Sequence, residues 1–201
     1  MSKVVSVGIL ALQGDFLEHA EILKELNATP VYIKKHSDLE KVDALIIPGG
    51  ESTTIGKLIE YKNLGPHIQR FVDEGKPVMG TCAGAIILAK EVRDRVVGIT
   101  NQFTLKLMDI SILRNAFGRQ RESFETTLWI DGLGEVRAAF IRAPAILNAW
   151  NNAKIIGYVE HPAIGKAGAA AIQNNMLALT FHPEITQEKK VYSYFLNLIK
   201  K

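Results

Sequence analysis

Short β-branched runs alternate with amphipathic stretches along the first half of the chain. Val4 to Leu10 reads as a strand, and after Gln13-Gly14 the segment Asp15 to Leu26 reads as a helix. Asp15 is placed to cap it with Glu18 three residues on, Phe16, Ala20 and Leu23 give it one apolar face, and Asn27 stops it. Val31 to Ile33 is a second strand and Ala44 to Ile47 a third, running into Pro48-Gly49-Gly50. Helical stretches follow around Thr53 to Glu60 and from Pro66 to Glu74, where Pro66 suits a first turn and Gly75 a C-cap. Val78-Met79-Gly80 is a very short buried strand, with the helix Ala83 to Ala89 behind it. This β-α-β-α-β pattern predicts a parallel sheet with helices on both faces.

The pattern then changes. Leu105 to Leu113 and Phe124 to Ile130 alternate with period 2, and Ala138 to Ile141 and Ile155 to Val159 add two more strands, expected as antiparallel additions to the sheet. Ala169 to Gln173 and Met176 to Phe181 flank Asn174-Asn175 as a hairpin, and Val191 to Ile199 closes the chain as an amphipathic run. No linker, low-complexity stretch or solenoid-length repeat interrupts the series, so one domain over residues 1–201 is expected.

Composition narrows the class without naming a function. With 201 residues, 47% hydrophobic and 22% charged, this is an ordinary globular composition. The formal charge of +3 is too small to imply a nucleic-acid or anionic-membrane partner. The single cysteine, Cys82, excludes an internal disulfide and favours a cytoplasmic home. The apolar start Val4 to Leu12 is followed by Gln13-Gly14-Asp15 rather than by a cleavage pattern, so no secretory signal is expected. No apolar run approaches the roughly 18 residues of a bilayer span.

That cysteine lies in Gly80-Thr81-Cys82-Ala83-Gly84, where a buried strand passes into a helix. This is the nucleophile-elbow spacing with cysteine in place of serine. Such a turn holds the nucleophile in a strained conformation and excludes side chains two residues to either side. At the helix N-terminus the dipole and unpaired N–H groups favour thiolate over thiol. The plain alternative is a small core hydrophobe.

A cysteine nucleophile needs a base. Of His19, His36, His67, His161 and His182, the last opens His182-Pro183-Glu184 directly after an apolar strand, whereas His161-Pro162-Ala163 has no acid at that offset. Residues two apart on extended chain point the same way, so Glu184 can orient the His182 imidazole. Otherwise His182 is a surface or loop residue. The loop Pro48-Gly49-Gly50-Glu51-Ser52-Thr53 ends a strand on the same edge of the sheet and exposes backbone N–H groups. It fails the phosphate-loop pattern, since Glu51 stands five residues before Gly56 and Leu58 follows Lys57. An oxyanion hole with a second donor from Ala83 fits better.

Five of the eight arginines fall at Arg114, Arg119, Arg121, Arg137 and Arg142, offset locally by Glu122, Glu125, Asp131 and Glu135. Individual members suit a carboxylate, although a solvated surface pair is the commoner fate. No metal-site spacing is present, so neither a metal nor another cofactor is expected.

Gly80-x-Cys82-x-Gly84 with His182-Pro183-Glu184 resembles the class I, triad-type glutamine amidotransferases. Leu12-Gln13-Gly14, Pro48 to Thr54, Asn115 to Gln120 with Ser123-Phe124-Glu125, and Ile141-Arg142-Ala143-Pro144 resemble, more narrowly, the glutaminase subunits of pyridoxal 5'-phosphate synthase. The resemblance runs from about residue 4 to 196, with Glu160 to Ala170 outside the match. It implies an α/β, three-layer, doubly wound, flavodoxin-like mixed sheet with helices on both faces. It further implies hydrolysis of L-glutamine to L-glutamate and ammonia through a thioester on Cys82, with His182 and Glu184 completing the triad. Gly50 and Ala83 would hold the oxyanion, with Gln13 beside that loop and the partner interface. Gly50, Glu51, Ser52, Arg114, Ile141 and Arg142 would bind glutamine. The ammonia would pass to a (β/α)8-barrel synthase subunit in a twelve-plus-twelve complex, to be combined with pentose and triose phosphates. Two other readings stay open: the glutaminase of another pathway, of the imidazole glycerol phosphate synthase type, and a cysteine peptidase or inactive binding module on the same scaffold.

Overall fold

The computed structural model describes residues 4–118, 123–162 and 164–199. Arg119, Gln120, Arg121 and Glu122, singled out in the sequence, lie outside them. The first half builds a parallel sheet from β1 (Ser6–Leu10), β2 (Thr29–Ile33), β3 (Ala44–Ile47) and β4 (Val78–Thr81). It carries α1 (Phe16–Glu25), α2 (His36–Leu39), α3 (Ser52–Tyr61), α4 (Gly65–Asp73) and α5 (Ala83–Leu88). The second half adds β5 (Ala89–Asp94), β6 (Gly98–Ile99), β7 (Met108–Arg114), β8 (Phe124–Ile130) and β9 (Gly134–Phe140). β10 (Ala145–Ala149), β11 (Lys154–His161), β12 (Gly165–Gln173), β13 (Met176–Leu179) and α6 (Lys189–Asn197) complete it.

The strands join in the order β2-β1-β3-β4-β13-β12-β10-β7-β5-β6, with β11, β8 and β9 branching from β12. The run β2-β1-β3-β4-β13 is parallel throughout, the order of a flavodoxin-like doubly wound sheet. The added strands are antiparallel except for β7, which lies parallel to β5. Strand alternation divides the apolar residues between two cores. Ala44 and Ile46 face the side packed by His19, Ala20 and Leu23 of α1 and by Tyr192 and Phe195 of α6. Leu45 and Ile47 face α3, α4 and α5. No helix among the described residues is long and apolar enough to cross a membrane.

Several expectations are corrected. Asp15 stands at the N-cap of α1 but its side chain makes no capping bond, so the expected pairing with Glu18 is not formed. The C-terminus behaves as read: Asn27 takes φ 58° and Ala28 N donates to Leu23 O at 2.9 Å, satisfying the last turn. The strand expected from Leu105 begins only at Met108, because Leu105 N and Leu107 N are used by the carbonyls of Ile87 and Leu88. α5 ends at Leu88, and Ala89 begins β5 rather than ending the helix. β9 begins at Gly134, four residues before the expected Ala138, as one arm of a hairpin with β8. α2, β5, β6 and β10 carry no clear sequence signal: they are short, and their apolar positions alternate too weakly to register as periodicity.

Candidate active site

The carboxyl ends of β1, β3, β4 and β13 meet along one edge, and each delivers part of a single site. β4 delivers Cys82. Its backbone takes φ 48° and ψ −104°, a left-handed-side conformation costly for a residue with a Cβ. Neighbouring glycines make the turn possible. A Cβ on Gly84 would lie 1.9 Å from the Ile47 carbonyl oxygen, and one on Gly80 would lie 2.5 Å from the Gly84 backbone. The Cys82 amide donates to Leu179 O at 2.8 Å, tying the elbow to β13.

β13 leads to His182, whose amide donates to Ala139 O of β9 at 2.9 Å. That bond fixes the imidazole between Cys82 and Glu184. His182 Nδ1 lies 2.5 Å from Glu184 Oε1, leaving the other ring nitrogen for Cys82. Burial opposes charge on the imidazole. The Cys82 sulfur and the Glu184 carboxylate outweigh it and push His182 up to about 11, so the imidazolium persists through neutral pH. Burial likewise works against the Glu184 charge, but the His19 and His182 rings hold this carboxyl below its ordinary value.

β3 leads to the glycine loop. Gly50 takes φ 147°, and a Cβ there would lie 2.5 Å from Gln13 Oε1. The Gly49 carbonyl accepts from Asp15 N at 3.2 Å. A trans peptide sets its N–H antiparallel to its C=O, so the Gly50 amide points away from α1. Gln13 does not line the cavity. It braces the loop from behind, its Oε1 accepting from Glu51 N at 2.8 Å.

These residues surround a cavity of about 230 Å³ lined by Cys82, Ala83, His182, Gly50, Glu51, Ser52, Arg114, Ile141 and Arg142, together with Asp15, Ile86, Asn115 and Pro144. Glu184 sits behind His182, almost wholly buried. Arg114 ends β7 and is held from three sides: Nη1 donates to Gln102 Oε1 at 2.5 Å, Nη2 to Glu51 Oε1 at 3.5 Å, and Nε lies 3.9 Å from Asp94 Oδ2. Arg142 is exposed at the rim with φ 46°, immediately after Ile141, whose carbonyl lies 4.0 Å from Cys82 Sγ. The half-buried Arg114 and the rim Arg142 suit a carboxylate, and Glu51 supplies the opposite charge for an ammonium, matching the two charged ends of a small amino acid. Glu51 also caps α3 through Thr53 N.

Three groups belong to the site that sequence reading had not placed there. Asp15 lies 3.6 Å from His182 Nδ1, and burial raises its carboxyl above the usual value. Gln102 and Asp94 hold Arg114. By sequence Asp15 reads as a helix cap, a role its residue type often fills. Gln102 comes from a loop without periodicity, so no sequence signal marked it. Asp15, His182 and Glu184 bring donor atoms within 4.8 Å of one another, a spacing a cation can use. The 2.5 Å bond already occupies the facing atoms of His182 and Glu184. The second His-Pro pair is structural: His161 packs against the rings of Phe117 and Phe124 at the end of β11.

Comparison with known proteins places the chain in a family. The model of the SNO glutamine amidotransferase family matches residues 9–201. A curated relative from Hyperthermus butylicus, "Pyridoxal 5'-phosphate synthase subunit PdxT", is 51% identical over 98% of both chains. One of the same name from Pyrobaculum aerophilum is 48% identical over 96% of this chain and 98% of its own. Among solved structures, one described as a glutamine amidotransferase superposes with a TM-score of 0.85 at 42% identity, covering 96% of this chain and 98% of its own. A putative GMP synthase subunit from Thermoplasma acidophilum superposes with a TM-score of 0.69 at 15% identity, over 99% and 96%, and shares the fold.

Proposed function

Because this chain belongs to the SNO glutamine amidotransferase family, we propose that it is the glutaminase subunit of a pyridoxal 5'-phosphate synthase, with Cys82, His182 and Glu184 as its catalytic residues. The observation that carries the assignment of roles is the series Cys82, His182, Glu184, with Cys82 and His182 lining the cavity and Glu184 buried behind them.

The Cys82 thiolate attacks the side-chain amide carbon of glutamine, and the carbonyl oxygen gains the negative charge. Amides of Gly50 and Ala83 stabilise that oxyanion, while Gln13 keeps the Gly50–Glu51 backbone in place. The His182 imidazolium donates its proton to the departing nitrogen, and ammonia leaves as the C–N bond breaks. A glutamyl thioester remains on Cys82. Neutral His182 then takes a proton from water, whose oxygen attacks the thioester carbon, and glutamate leaves as the thiolate returns. Glu184 keeps the ring oriented and its charge balanced throughout. Arg114, Arg142, Glu51, Ser52 and Ile141 position the glutamine, with a guanidinium on its α-carboxylate.

The reading extends to the partner. The relatives are named as synthase subunits, so the ammonia goes to a separate synthase chain. We assign that chain as a (β/α)8 barrel in a cytoplasmic twelve-plus-twelve complex. A glutaminase of the imidazole glycerol phosphate synthase type is not favoured by the relatives. A glutamine analogue with an electrophilic carbon in place of the amide tests the site: it should label Cys82 stoichiometrically, with free glutamine protecting. Labelling that glutamine does not slow would count against it.

A further inference from the structure

The imidazole–carboxylate pair does not end at Glu184. Its second oxygen, Oε2, is buried and has no hydrogen-bond partner among the described residues, an expensive state for a carboxylate. His19 Nε2 of α1 lies 3.6 Å away, with both side chains wholly buried. The same nitrogen is 3.2 Å from Thr81 Oγ1, one residue before Cys82. On the far side of the ring, Nδ1 lies 2.6 Å from the hydroxyl of Tyr192 on α6, also wholly buried.

We propose that His19, held by Tyr192, is a positioning residue that extends the triad inward and keeps Glu184 ionised and aimed at His182. The proposal rests on the glutaminase reading for its consequence and on the geometry alone for its existence.

The tautomer follows from the partners. If Nδ1 carried the proton, the bare Nε2 lone pair would face the Glu184 oxygen, and the two would repel. With the proton on Nε2, the N–H points between Glu184 Oε2 and Thr81 Oγ1, and Nδ1 accepts from the Tyr192 hydroxyl. Both ring nitrogens and the hydroxyl are then satisfied. Burial favours this neutral ring by lowering His19, and it raises Tyr192, so the phenol keeps its donor proton. The charged and titratable groups facing His19 are Glu184, His182, Asp15, Glu18 and Tyr192. The ring acts through an N–H dipole rather than a full charge. It therefore supports the carboxylate without competing with His182 for its attraction.

Cys82 is the only cysteine of the chain, so its alkylation by iodoacetamide against pH reads the ion pair without glutamine. Removing that N–H dipole from beside the ionised carboxylate raises its carboxyl, and the acid limb of alkylation should move up by about one pH unit or less in His19→Leu. Tyr192→Phe, which frees Nδ1 and unpins the tautomer, should move it in the same direction by less. His19→Gln places an amide N–H near the Nε2 position and should restore most of the original limb. In partner-stimulated ammonia release, His19→Leu should lower kcat about tenfold and leave KM for glutamine unchanged. A merely structural role would scale the alkylation profile without moving it. Acid limbs coincident with that of the unsubstituted chain in His19→Leu and Tyr192→Phe would overturn the proposal, and Tyr192→Phe decides it alone if His19→Leu fails to fold. Coincident limbs with ammonia release intact would leave the glutaminase reading standing. A shifted limb in a chain that releases no ammonia would uphold the His19 relay and remove that reading instead.

Discussion

Arg114 shows how much of the site depends on what surrounds a single side chain. Its guanidinium is shared among Gln102, Glu51 and Asp94, so its fork is aimed into the cavity before any ligand arrives. Such pre-orientation lowers the entropy lost on binding. Arg114→Lys keeps the charge and loses the fork. We expect it to raise KM for glutamine by about tenfold or more, with a smaller change in kcat, in steady-state ammonia assays. An equal fall in kcat at constant KM would place Arg114 in the chemistry rather than in binding. Residue by residue, Cys82, His182 and Glu184 were legible because their signals are local, a Gly-x-Cys-x-Gly spacing and a His-x-Glu offset. Asp15 and His19 were not. His19 lies with Phe16, Ala20 and Leu23 on the apolar face of α1, where a histidine reads as core, and its partner Tyr192 is 173 positions away.

At the scale of elements, the β4–α5 junction carries the strain that exposes the sulfur. Cys82 sits at positive φ because Gly80 and Gly84 let α5 close against β3 and β4. Gly84→Ala would drive a methyl group to 1.9 Å from a backbone oxygen that β3 cannot withdraw without breaking its register. The expected loss is about 3 kcal/mol in the urea unfolding free energy, beyond any loss of activity. Unchanged stability would mean that the elbow has slack the geometry does not show. The parallel elements were legible from the alternation of β-branched runs and amphipathic helices. In the second half β5, β6 and β10 carry no periodic signal, and β9 and β11 are misbounded because their ends are set by hairpin and branch pairing rather than by burial of one face.

For the whole molecule, the buried charges make stability depend on pH in two windows. His182 is raised from 6.5 to about 11, so its contribution is complete below 6.5 and is lost as pH climbs toward 11. Glu184 is lowered, so its contribution is complete above 4.5 and is lost as pH falls through the folded value. His19 is lowered, so its buried neutral ring costs stability as pH falls below 6.5, and stability should be greatest near pH 6.5. Cys82→Ala removes the largest stabiliser of the imidazolium and should flatten the alkaline decline of the urea midpoint, leaving the acid limb in place. A decline of the same steepness in both chains would show that the Cys82 sulfur does not hold the His182 proton.

The architecture explains why these charges are tolerated. Four strand ends converge on one cavity, while two apolar cores on opposite faces of the sheet fix their spacing. The most direct test is partner-stimulated release of ammonia from L-glutamine, measured for the chain with and without its synthase subunit and repeated with Cys82→Ala. The glutaminase rate should rise when the synthase subunit is added and fall by about 10³-fold or more in the substituted chain. Ammonia release that survives the loss of the Cys82 sulfur, or that ignores the synthase subunit, would contradict the glutaminase reading.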